Sequence, residues 1–181
     1  MPNWCANFVQ ITHPDSERIQ ALAEAARKGR FCEHIIPTPA ELREHSAPEY
    51  DEARAEEFFA KYGYTDWYSF CVARWGTKWD VDPYDNVEVQ KHYLSFGFDS
   101  AWSPPTGIYE ALVADGFTVD AMYYEPGMGF CGRWVDGSDN YYELGGMTAA
   151  QVAEIIDQDL DQQFAIVENM EMWEREEEEN E

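Results

Sequence analysis

The sequence predicts an α+β fold of the split βαβ kind: an antiparallel sheet with helices on one face, a helical insertion at about 37–78, an added hairpin and a C-terminal helix. Three observations carry this. Strand-type and amphipathic segments alternate in the order strand, helix, strand, helix, strand before a run of short strands. An aromatic-rich helical stretch interrupts that alternation once. Hydrophobic residues make up 45% and aromatics 15% of 181 residues, enough for one core and too much for a disordered chain.

Trp4 to Thr12 has the β-branched and aromatic content of a strand. Pro14 and Asp15 then open a helix whose Ile19, Leu22, Ala23 and Ala26 repeat at the spacing of a buried face, and Gly29 stops it. Phe31 to Ile36 reads as a short strand ended by Pro37 and Pro39. In the insertion, Ser46 with Glu49 matches a capping box for a helix from Glu49 to Tyr62. Thr65 or Asp66 caps a second helix, Trp67 to Trp75, which Gly76 terminates.

Val87 to Ser100 alternates as one strand, and Ser103-Pro104-Pro105 caps a helix carrying Ile108, Ala111 and Leu112. Phe117 to Glu125, Met128 to Val135 and Tyr141 to Leu144 form a meander turning at Pro126-Gly127 and Asp136-Gly137. Thr148 with Gln151 is a further capping box, and Val152, Ile156, Leu160, Phe164 and Val167 mark one face of a single tail helix. The like-charge run Glu176 to Glu179 is expected to be disordered or a frayed helix end. Residues 1–145 thus form the α+β domain, and residues 146–181 an amphipathic helix with an acidic tail.

Charge narrows the function. The chain carries 12 Lys and Arg against 36 Asp and Glu, a net charge of −24. Residues 92–181 alone hold 20 acids and 2 bases, a net of −18. Such a field repels phosphate backbones and anionic lipid and attracts a basic protein surface. Direct nucleic-acid binding is therefore not expected, and the aromatic strand Leu94-Ser95-Phe96-Gly97-Phe98 is better explained by core packing than by base stacking. No basic stretch leads into an apolar h-region and no apolar run approaches a bilayer span, so no membrane contact and a cytoplasmic location are expected. Cys5, Cys32, Cys71 and Cys131 are scattered, the pattern of free thiols.

Three clusters stand out: Met1-Pro2-Asn3-Trp4-Cys5-Ala6-Asn7, Trp75-Gly76-Thr77-Lys78-Trp79-Asp80, and Ala101-Trp102-Ser103-Pro104-Pro105 followed by Tyr124-Glu125-Pro126-Gly127 and Phe130-Cys131-Gly132. In this order, over roughly residues 1–145, they resemble the YubB-like family of phage and plasmid proteins, whose domain is called ferredoxin-like. The resemblance implies a small accessory protein of mobile elements and carries over no activity. It does not include the acidic tail. The fold name implies no iron–sulfur cluster, and the cysteines lack the ligand spacing for one.

The expected function is binding and inhibition of a basic host protein, a defence or nucleic-acid-handling protein, by carboxylates standing where the target expects phosphates. Asp157, Asp161, Glu168, Glu171 and Glu174 are the candidate partner-binding residues, spaced so that several share a helix face. The rival is an enzyme or small-ligand binder with a pocket between insertion and sheet, where Lys78, Asp80, Trp102 and Glu125 converge beside Trp75 and Trp79. An oligomeric structural or packaging accessory is a third possibility. A metal site from Cys5, Cys32, His34 and Cys131 is disfavoured because no CxxC or HxxxH spacing supports it. No nucleophile elbow, P-loop or dinucleotide fingerprint is present, so no catalytic residue and no cofactor are assigned.

Overall fold

The computed structural model describes residues 3–180, with side chains through Glu176; Met1 and Pro2 of the opening motif and the side chains of Glu177, Glu178 and Glu179 lie outside that description. The protein is α+β, with an open six-stranded sheet. Its strands are β1 (Trp4–Thr12), β2 (Glu88–Gln90), β3 (Tyr93–Ala101), β4 (Thr118–Glu125), β5 (Phe130–Val135) and β6 (Ser138–Glu143). They lie in the order β2-β3-β1-β4-β5-β6, every neighbouring pair antiparallel. Because β3 and β4 both run against β1, they are parallel to each other, and α6 (Thr106–Ala114) makes the crossover between them.

Alternation along the strands sorts side chains into two cores. On one face Val9, Ile11, Leu94, Phe96, Phe98, Val119 and Ala121 pack against α1 (Ser16–Arg27), α2 (Phe31–Ile35), α5 (Trp67–Trp75) and α6. Burial of each large side chain here contributes about 1.5–3 kcal/mol before entropy is charged against it. On the other face Met122, Tyr124 and Cys131 meet Leu144, just after β6, and Val152, Leu160 and Ile166 from the tail. Helices therefore cover both faces of the sheet, not one as the sequence suggested. The apolar residues at even positions of β4 require the second cover.

Several elements follow their local signals. Asp15 caps α1 by accepting from the Glu17 N–H, Asp66 and Ser69 form a capping box on α5, and Gly76 ends α5 in the left-handed region at φ 89°. Others do not. Phe31–Ile35 is a helical turn, not a strand, because the Asp80 side chain accepts from the Cys32 and Glu33 N–H groups at 2.8 and 2.9 Å. In the insertion α3 (Ala40–Arg43) forms after Pro39, and α4 (Glu52–Tyr62) starts later than the Ser46–Glu49 pattern indicates. Asp51 is the actual cap, accepting from Arg54, while Glu49 accepts from the Asp51 N–H.

The expected strand from Val87 to Ser100 is a hairpin, with Gln90 opposite Tyr93 and Lys91-His92 as a turn that contains neither Gly nor Pro. Ser103 does not cap α6; its hydroxyl donates to the Gly76 carbonyl at 2.5 Å, tying the start of α6 to the end of α5.

The single tail helix divides into α7 (Ala149–Ile155), α8 (Gln158–Phe164) and α9 (Ile166–Asn180). Ile156 is extended and Ala165 is left-handed at φ 51°, and these two bends turn the apolar steps onto Tyr124 and Cys131. α9 remains helical through Asn180.

Gly107 sets how closely α5 and α6 approach, since a Cβ there would lie 2.3 Å from the Arg74 carbonyl oxygen. Gly107→Ala is expected to cost about 2 kcal/mol by overpacking, read as a lower urea midpoint. Gly145→Ala, with open space around its Cβ, is expected to stay within about 0.5 kcal/mol of the parent.

Candidate ligand cleft and acidic face

Trp67, Cys71 and Trp75 recur every fourth residue and share one face of α5. The buried Trp75 indole N–H donates to the Ile36 carbonyl at 2.9 Å, fixing α5 against the segment after α2. Beyond Gly76 the chain is pinned to β3: Thr77 Oγ1 donates to the Ala101 carbonyl, and the Ala101 N–H returns to Thr77 Oγ1, each at 3.1 Å. That clamp holds Lys78, Trp79 and Asp80 opposite α5. With Thr38 and Arg43 they enclose a cleft of about 290 Å³.

The carboxylates around this cleft are already satisfied. Asp80 accepts from the backbone N–H groups of Cys32, Glu33 and Val81 at 2.8–2.9 Å. Burial pushes its carboxyl above the ordinary range, and those backbone donors pull against the shift. Glu33 accepts from the Thr38 N–H at 3.0 Å and pairs with Arg43. Burial raises the Cys71 thiol to about 11, so it stands as a neutral wall.

Lys78 differs from these groups. Its ammonium lies 4.4 Å from the Trp79 ring centroid and 5.3 Å from that of Tyr68, and it has no carboxylate partner among the described residues. Trp79 is 39% exposed, and its ring centroid stands 6.1 Å from that of Trp4, which is 49% exposed.

The structure brings Trp75, Lys78, Trp79 and Asp80 together but places Trp102 and Glu125 elsewhere. Trp102 is left-handed at φ 72°, and its N–H donates to the Asn3 carbonyl. Glu125 is buried and closes its own turn, accepting from the Gly127 and Met128 N–H groups at 2.9 and 2.5 Å. The expected convergence of Lys78, Asp80, Trp102 and Glu125 therefore does not form. Thr38, Arg43, Trp67 and Cys71 complete the cleft; only the four-residue spacing of Trp67, Cys71 and Trp75 announced any of them.

The five tail acids do not form one face. Asp161 is bound inside the tail, accepting from the Val167 N–H at 2.8 Å across the α8–α9 bend. Glu174 accepts from the Ala149 N–H at 2.7 Å and latches α9 to the start of α7. Asp157, just before α8, and Glu168 and Glu171, on α9, remain exposed on either side of the Ala165 bend. Leu94, Phe96 and Phe98 are fully buried in the larger core.

The cysteines and His34 weighed as a metal set are dispersed. Cys5 packs with Tyr123 and Phe130, Cys32 lies in the larger core, and Cys131 lies under the tail. Cys32 and His34 are on helix α2, where they do not share a strand face. Among the described residues no three His, Cys, Asp or Glu side chains are placed to hold a metal ion, and no helix is long and apolar enough to cross a membrane.

No family model and no curated protein matches the chain. Among solved structures it is similar to the protein api92 from Yersinia pseudotuberculosis, of the family DUF1281, at 12% identity and a TM-score of 0.40, over 81% of this chain and 100% of that one.

Proposed function

We propose that the chain is a non-enzymatic, cytoplasmic accessory protein of the YubB-like kind, acting by binding a basic host protein. The order β2-β3-β1-β4, with helices following β1 and β3, supports a ferredoxin-like split βαβ reading. Four free, buried thiols suit a reducing compartment.

The observation that carries the binding reading is the unmatched acidity of the rear half. Asp157, Glu168 and Glu171 are exposed together with Asp159 and Glu154. Of the two bases there, Arg133 is engaged by Asp120 and Asp159, and the Arg175 Nε donates to the Glu171 carbonyl. A basic nucleic-acid-binding surface is the complement of such a field, and steering toward it weakens with salt.

The test is affinity capture from host lysate at low and high salt, comparing the full chain with a triple variant carrying Asp157→Asn, Glu168→Gln and Glu171→Gln. Point variants are preferable to removing residues beyond Leu144, which would strip the cover from Tyr124 and Cys131. Basic partners recovered only at low salt, displaced by duplex DNA and lost with the triple variant are the expected result. Partners that survive high salt or bind the triple variant equally would overturn phosphate mimicry.

A second reading, small-ligand binding in the cleft, is favoured by one observation: Lys78 lines it beside Trp79 with no ion-pair partner among the described residues.

A further inference from the structure

We propose that the cleft beside α5 takes a small planar aromatic monoanion, its ring system against the tryptophans and its anionic group on the Lys78 ammonium. This rests on the second reading above and names the ligand class.

The residues select that chemistry by elimination. A cationic ligand is refused, because the place where the Trp79 and Tyr68 rings would hold an ammonium is already occupied by that of Lys78. A polyanion such as a nucleotide is also refused. Lys78 is the one unmatched cation among the described lining residues, Arg43 being held by Glu33, and the chain's net charge of −24 opposes further negative charge. A volume of about 290 Å³ admits one or two fused rings and lies at the small end for ligand clefts.

Trp67, Trp75 and Trp79 supply flat apolar walls. The saturated carboxylates of Asp80 and Glu33 have little left to offer a ligand donor. The groove beside α1 also holds a cation without an ion pair, Arg30, but its lining of Ala21, Glu24, Ala25, Lys28, Arg30 and His34 offers no tryptophan wall.

The test is an NMR titration of the full chain, following the tryptophan indole N–H resonances with three isosteric probes: naphthoate, naphthamide and naphthylmethylammonium. Naphthoate is expected to bind about tenfold more tightly than naphthamide, the size of one charge-assisted contact, with the amine weakest and the shifts centred on Trp67, Trp75 and Trp79. Lys78→Met keeps the apolar stem and is expected to bring naphthoate down to the naphthamide affinity. Lys78→Arg is expected to retain most of the preference.

Equal affinity for naphthoate and naphthamide in the parent chain, or a naphthoate preference that survives Lys78→Met, overturns the monoanion assignment while leaving the cleft a binding site. If no probe moves these indoles, both the assignment and the cleft reading fail.

Discussion

Replacing Asp80 with alanine is expected to destabilise the fold by about 3 kcal/mol, the cost of leaving the N–H groups of Cys32, Glu33 and Val81 without their acceptor. The loss concentrates on α2, a five-residue helix too short to persist without this support, and it reaches the cleft because Asp80 lines it. Asp80→Asn separates acceptor from charge. Burial holds the Asp80 carboxyl above its ordinary 3.8. A carboxyl raised in the fold favours folding below its ordinary pKa, and that advantage is lost as pH rises through the folded value. Near neutrality the ionised group therefore carries a penalty that Asn removes, and Asn keeps one acceptor oxygen. Urea midpoints near neutral pH are expected to fall in the order parent, Asn, Ala. An Asn variant as unstable as Ala would mean that the charge itself holds α2.

The second large effect is alkaline unfolding. Burial raises all four thiols above their ordinary 9.0, to about 11 for Cys71 and about 12 for Cys131, with Cys5 and Cys32 also shifted up. The buried Tyr109 and Tyr123 phenols are raised as well. The folded chain keeps these protons where the unfolded chain releases them. The stabilisation is fully present below the ordinary pKa of each group and is lost as pH climbs toward the folded value. Each such thiol removes about 1.4 kcal/mol per pH unit above about pH 9. Several acting together exhaust a domain stability of about 5–15 kcal/mol within two or three units.

Urea unfolding under reducing conditions should show stability nearly flat from about pH 7 to 8.5 and falling steeply above about pH 9.5. Cys131→Ala should make that fall shallower by one thiol's share. A curve flat to about pH 11 would mean that the thiols reach water in the native state.

What the sequence disclosed depended on distance along the chain. Asp15, Asp66 with Ser69, and Thr148 with Gln151 announce helix starts because cap and helix are adjacent. The α2 turn was hidden because its acceptor, Asp80, lies 48 residues from Cys32. The β2–β3 turn was hidden because Lys91-His92 has no turn-forming residue, and the α8–α9 bend because alanine seldom announces a left-handed backbone.

The site divides in the same way. Trp75, Lys78, Trp79 and Asp80 fall within one six-residue stretch and were legible as a group, whereas Thr38 and Arg43 come to the cleft from an earlier part of the chain. Several of the tail acids share a face only if the tail is one helix. The bends at Ile156 and Ala165 redirected them, and the backbone of the tail itself took up Asp161 and Glu174.

The two cores share β4 as a party wall, Val119 and Ala121 serving one side, Met122 and Tyr124 the other. Changes on opposite sides of that wall touch different neighbours, so their effects combine nearly additively. Substitutions under the tail are thereby expected to leave the shape of the cleft side intact.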